Sequence, residues 1–135
     1  LGLHPYFRRC ADASVRFDSG AMLGIDAEAL PDGVLHAPDR LAKWSAGAKL
    51  PPQLVDNCFA DWRGSATITD ALGTITLRAF GAPHLHLYAP PTADVLCLEP
   101  VSHLPDALNR NPDGVPVVLR GCAVAIAIRI ECENA

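Results

Sequence analysis

The alternation of polar and apolar residues in Ala66-Thr67-Ile68-Thr69 and again in Thr74-Ile75-Thr76-Leu77-Arg78-Ala79-Phe80 constrains this chain more than any other feature. A period of two puts Ile and Leu on one face of an extended strand and Thr and Arg on the other. The intervening Asp70-Ala71-Leu72-Gly73 has turn chemistry, so the segment predicts a hairpin with one buried face. Further strand candidates are Val15-Arg16-Phe17, Leu85-His86-Leu87-Tyr88, Val95-Leu96-Cys97-Leu98 and Val115 to Leu119. Late in the chain Val124, Ile126, Ile128 and Ile130 share one face and Ala123, Ala125, Ala127 and Arg129 the other, which predicts a strand covered on both sides. Pro31-Asp32-Gly33 and Pro112-Asp113-Gly114 read as turns. Helix-like content is confined to Pro38 to Lys49, where Gly47 weakens it. The expectation is an all-β, sandwich-style single domain over residues 1–135 with no internal boundary.

Composition narrows the function. Half of the 135 residues are apolar, enough for a substantial core, and no apolar run approaches the roughly 20 residues of a membrane-spanning helix. A net charge of −4 without a Lys/Arg run argues against nucleic acid, so neither nucleic acid nor membrane is an expected partner. The five cysteines (Cys10, Cys58, Cys97, Cys122 and Cys132) are odd in number and form no C-x-x-C pair. They read as reduced, buried thiols of a cytoplasmic protein. The chain opens Leu1-Gly2-Leu3 without Met, and its strands are apolar enough to need outer neighbours. Both features predict part of a larger fold, completed by an N-terminal half or a second chain.

Three residues carry candidate chemistry. Glu99 ends an apolar run directly before Pro100, which bars it from the helical region and holds it extended. A carboxylate with fixed orientation suits a general base; the alternative is a solvated Glu satisfied by turn amides. His4 also precedes a proline and is followed by Tyr6 and Phe7, so an imidazole able to exchange protons near neutrality is pinned beside aromatic rings. Its alternative is a merely packed or exposed His. Asp56, in VDNCFADW, can hold hydroxyl groups, or can cap a helix or close an Asx turn. His84 and His86 share a strand face without a third ligand at zinc spacing, so no metal is expected. Ser102-His103 is not a nucleophile pair, and neither G-x-G-x-x-G nor a Walker A pattern is present.

In that order, GLHPYF, VDNCFADW and LEPVSHLPDALN resemble the C-terminal half of the aldose 1-epimerases, the galactose mutarotase family, from about Leu3 to Asn109. The resemblance implies a β-supersandwich and interconversion of the α and β anomers of a free aldose such as galactose or glucose, with no cofactor or metal. It matches Glu99 to the catalytic base that takes the anomeric hydroxyl proton, His4 to the acid on the ring oxygen, and Asp56 to a carboxylate that binds sugar hydroxyls. Two departures stand out. The family's arginine and second histidine come from its N-terminal half and have no counterpart here, and Arg8-Arg9 replaces the usual residues after the aromatic pair. A non-catalytic sugar-binding module with an incomplete site is the alternative, and a glycosidase using Asp56 and Glu99 is a third reading. The mutarotase reading requires that His4 and Glu99 converge on one sugar-sized hollow.

Overall fold

The computed structural model describes residues 1–135 and contains eleven strands. In chain order these are β1 (Tyr6–Arg8), β2 (Ser14–Phe17), β3 (Ala21–Ile25), β4 (Pro31–His36), β5 (Ala48–Lys49), β6 (Val55–Ala60), β7 (Ser65–Asp70), β8 (Gly73–Phe80), β9 (His84–Ala89), β10 (Val95–Val101) and β11 (Ala127–Asn134). They form two antiparallel sheets, one ordered β1-β10-β9-β6-β3-β4 and the other β11-β8-β7-β2-β5. The single α-helix, α1 (Ala107–Arg110), is one turn long. The chain is therefore nearly all β. No helix is long and apolar enough to cross a membrane.

Period-two patterning explains how the sheets meet. Leu85, Leu87 and Ala89 of β9 and Leu96 and Leu98 of β10 share one core cluster with Val15, Phe17, Ala66, Ile68 and Leu77 of the second sheet. All ten are essentially shielded from solvent. Burying each large side chain contributes about 1.5–3 kcal/mol, which makes this seam the main source of stability. At one end Trp44 stacks on Phe17 with ring centroids 5.4 Å apart and meets Phe59 edge-on at 6.1 Å. Two 3-10 turns, Pro38–Arg40 and Trp44–Ala46, occupy the segment with helix-like content and deliver that Trp.

The β7–β8 hairpin forms as patterned, with Ala66 paired to Leu77 and Ile68 to Ile75. Asp70 Oδ1 accepts from the Leu72 amide at 2.8 Å and closes the turn. Gly73 has φ 141°, and a Cβ there would stand 2.0 Å from the Glu133 carbonyl oxygen of β11, so the position requires glycine.

Four expectations are corrected. Pro31-Asp32-Gly33 opens β4 instead of turning; the turn lies just before it, where Asp26 Oδ1 accepts from the amides of Glu28 and Leu30 at 2.9 and 3.0 Å. The run Val115 to Leu119 is not a strand, and Val117, Val118 and Leu119 are exposed. The late strand is an edge strand pairing only with β8, and Ile130, opposite buried Leu77, remains 45% exposed. Of the five cysteines, all unpaired, only Cys58 and Cys97 are buried, whereas Cys122 and Cys132 are exposed.

Candidate functional site

The core takes one face of the six-stranded sheet, and the other face collects the chemistry. Antiparallel register sets Glu99 of β10 opposite His86 of β9, which in turn lies opposite Cys58 of β6. In the adjacent row Tyr6, Cys97, Tyr88 and Asp56 stand side by side across β1, β10, β9 and β6. Because each strand alternates, the leucines that build the core also force these polar side chains outward. The site is thus a by-product of the same pattern that makes the sandwich.

Pro100 does not stop the ladder. It lies within β10 opposite Leu85, and its carbonyl accepts from the Leu3 amide at 3.1 Å. In an antiparallel strand a residue's N–H and C=O point the same way, so the N–H that Pro lacks faces the sparse β1 side, while Glu99 addresses β9. The same Leu3 bond and a bridge between Gly2 and Val101 hold the first residues along β10. That strapping brings two distant parts of the sequence together. His4 Nε2 stands 3.2 Å from Glu99 Oε1, and the His4 ring stacks on Tyr6 with centroids 4.6 Å apart. Of the two aromatic residues, only Tyr6 flanks the imidazole, because Phe7 turns into the core.

His4 and Glu99 therefore converge, in direct contact with one another instead of across an empty hollow. Beside them opens a hollow of about 380 Å³ lined by Leu1, Gly2, His86, Glu99, Val101, His103 and Pro105. The Glu99 side chain is only 15% exposed. Burial pushes its carboxyl above the ordinary range, the nearby His86 and His4 pull it back, and Asp56 adds a smaller upward push. The result is a carboxylate with raised basicity whose ionised form is held by two imidazoles.

Asp56 is strand-borne, neither an Asx turn nor a helix cap. His86 donates from Nε2 to Asp56 Oδ1 at 2.7 Å, and the two side chains are partly buried. His86 was not expected as a site residue. Its signal was present in His84-Leu85-His86, but only the register shows that it meets Glu99 and Asp56 while His84 does not. His84 has a buried Nδ1 without a hydrogen-bond partner, and burial pushes its pKa down.

Ser102 is buried, with its Oγ 2.8 Å from the Leu1 nitrogen, and His103 lines the hollow. Arg9 donates to the carbonyls of Pro90 and Pro51, fastening two loops beside β1. Asp106 holds Arg110 at 2.9 Å and has a depressed pKa, first through Asn109. His4 Nε2, Cys97 Sγ and a Glu99 carboxylate oxygen lie within 4.8 Å of one another, the one mixed donor set able to hold a metal ion.

His4 and Glu99, the two residues that the sequence resemblance singled out, thus stand side by side on the outer face of a β-sandwich. Among solved structures, a protein of Escherichia coli K12 named a "putative aldose 1-epimerase" superimposes with a TM-score of 0.76 and 26% identity, over 98% of this chain and 50% of that one. This chain has the fold of an aldose 1-epimerase's C-terminal half. The Slr1438 protein of Synechocystis sp. PCC 6803 shares the fold over 80% of this chain and 36% of its own, with a TM-score of 0.60 and 23% identity. No protein-family model and no curated protein sequence matches. The chain spans half the length, or less, of these two solved structures.

Proposed function

We propose that this chain supplies the acid/base half of an aldose 1-epimerase site and interconverts the anomers of a free aldose such as galactose or glucose. The observation that carries the reading is the 3.2 Å approach of His4 Nε2 to Glu99 Oε1, with Glu99 lining a hollow of about 380 Å³. Ring opening must remove a proton from the anomeric hydroxyl and deliver one to the ring oxygen, and these two oxygens share one carbon. A base and an acid for such a step must therefore lie within a few ångströms of each other. In the free protein Glu99 and His4 hold the positions that the hemiacetal would take between them.

In this mechanism Glu99 accepts the anomeric hydroxyl proton while His4 gives its Nε2 proton to the ring oxygen. The C1–O5 bond breaks, the open-chain aldehyde rotates about C1–C2, and closure on the opposite face returns both protons. Partial burial of Glu99 suits the base role, because it raises the carboxylate's proton affinity. Asp56 accepts from sugar hydroxyls, and His86 fixes its carboxylate through the 2.7 Å bond. No step calls for a cofactor.

A second reading follows from the chain's length. It spans half of the structure it matches, so a pocket with the acid/base pair but lacking the other half's contribution would bind sugar without turning it over. Polarimetry of freshly dissolved α-galactose or α-glucose separates the two. Mutarotation faster than buffer, abolished in Glu99→Gln, supports the enzyme; buffer-rate anomerisation with measurable sugar binding supports the binding module. Release of free sugar from a glycoside would instead identify a hydrolase.

A further inference from the structure

We propose that His4, Cys97 and Glu99 form a three-ligand site for a thiophilic divalent cation such as Zn²⁺, seated where His4 and Glu99 face one another. The three donor atoms come from two elements. β10 contributes Cys97 and Glu99, two residues apart on its outer face, and the strapped segment before β1 contributes His4. All lie within 4.8 Å of one another, and the His4 and Glu99 atoms are 3.2 Å apart. With metal bonds of about 2.0–2.3 Å, tetrahedral ligand atoms lie roughly 3.3–3.6 Å apart. The His4–Glu99 pair, at 3.2 Å, is close to this spacing, and binding requires the buried Cys97 side chain to shift toward it.

The donor set decides the class of ion. One imidazole nitrogen, one sulfur and one carboxylate oxygen suit Zn²⁺ or Co²⁺, whereas Mg²⁺ and Ca²⁺ require oxygen ligands throughout. Three protein ligands leave a fourth position of a tetrahedral ion to a water molecule. Binding replaces the Cys97 S–H bond with an S–metal bond, and the thiol proton passes to bulk water. The site itself stands on these three side chains alone. Its functional consequence, that cation and sugar exclude each other because the metal engages both proton carriers, rests on the mutarotase reading.

The test uses the full chain stripped with chelator and titrated with Co²⁺, whose thiolate ligands give a near-ultraviolet charge-transfer band. Expected are one Co²⁺ per chain, the band, its bleaching by Zn²⁺, and its loss in Cys97→Ser. Absence of the band means that no thiolate binds the metal and overturns the site; its persistence in a folded Cys97→Ser protein assigns the metal to another thiol, such as the exposed Cys122 or Cys132, and overturns it as well. Should Cys97→Ser not fold, His4→Gln at the more exposed position decides. Binding weakened by about tenfold or more supports the site, and unchanged affinity overturns it. Neither readout depends on turnover, so failure here and failure of the mutarotase reading are distinct results.

Discussion

The outward faces of the two sheets obey the same alternation and serve different ends. On the five-stranded sheet Ser65, Thr67 and Thr69 of β7 stand beside Thr74, Thr76 and Arg78 of β8, with Glu131 of β11 pairing Arg78 at 3.6 Å and Arg129 at 2.8 Å. These side chains are solvated, and their ion pairs are half-exposed. On the six-stranded sheet the equivalent positions hold Glu99, His86, Asp56 and Cys97, packed under the strapped N-terminal residues and the segment after β10. What separates them is solvent access: a carboxylate in water is neutralised by hydration, whereas one partly withdrawn from water depends on its neighbours.

The comparison can be broken at its strongest point first. On the proposed mutarotase reading, Glu99→Gln removes the base and is expected to lower the mutarotation rate by about 10²–10⁴-fold, read by polarimetry, while Glu131→Gln on the opposite face leaves it unaltered. Equal rates for Glu99→Gln and the parent would remove the base assignment. Next comes the seam the faces share. Leu87→Ala opens a cavity in the fully buried core and should cost about 2–5 kcal/mol in a denaturant titration, whereas Thr67→Ala should stay within about 0.5 kcal/mol.

A smaller effect is expected at Asp56. Its replacement by Ala should raise the sugar concentration for half-maximal rate by about tenfold, the loss of one charge-assisted hydrogen bond, with less change in the maximal rate. An unchanged half-saturation would show that the carboxylate serves only to hold His86. Smallest of all is the solvated pair: Arg78→Ala should shift stability by no more than about 1 kcal/mol. Thiol labelling sharpens the contrast in access. Burial pushes Cys58 up to about 12 and Cys97 up to about 11, so in the native protein only the exposed Cys122 and Cys132 should react quickly with a disulfide reagent near neutrality. Rapid labelling of Cys97 would mean that the floor of the site is open to solvent.

Much of the fold was legible because period two is a local property. The hairpin through Gly73, the strands at Leu85 and Val95, and the sandwich class followed from side-chain alternation and turn residues. Misreadings arose where local sequence does not report the neighbour. Val115 to Leu119 has strand-forming residues but no partner strand, so it stays irregular and exposed. The stretch from Val124 to Ile130 has the composition of an inner strand, yet its second half forms an edge. Pro100 sits inside a strand because the donor it lacks points toward the sparse β1 side, a direction that only the pairing defines.

The sequence alone determined which residues are pinned and which way they alternate. The proline after His4 and the one after Glu99 restrict their backbones whatever the rest of the chain does, since that restriction is steric and acts between adjacent residues. Only the tertiary structure decided that these two side chains touch, that His86 belongs with Asp56, and that Cys97 stands beside the proton carriers. Those contacts depend on strand order and register, which are set by how one continuous apolar face is buried against another.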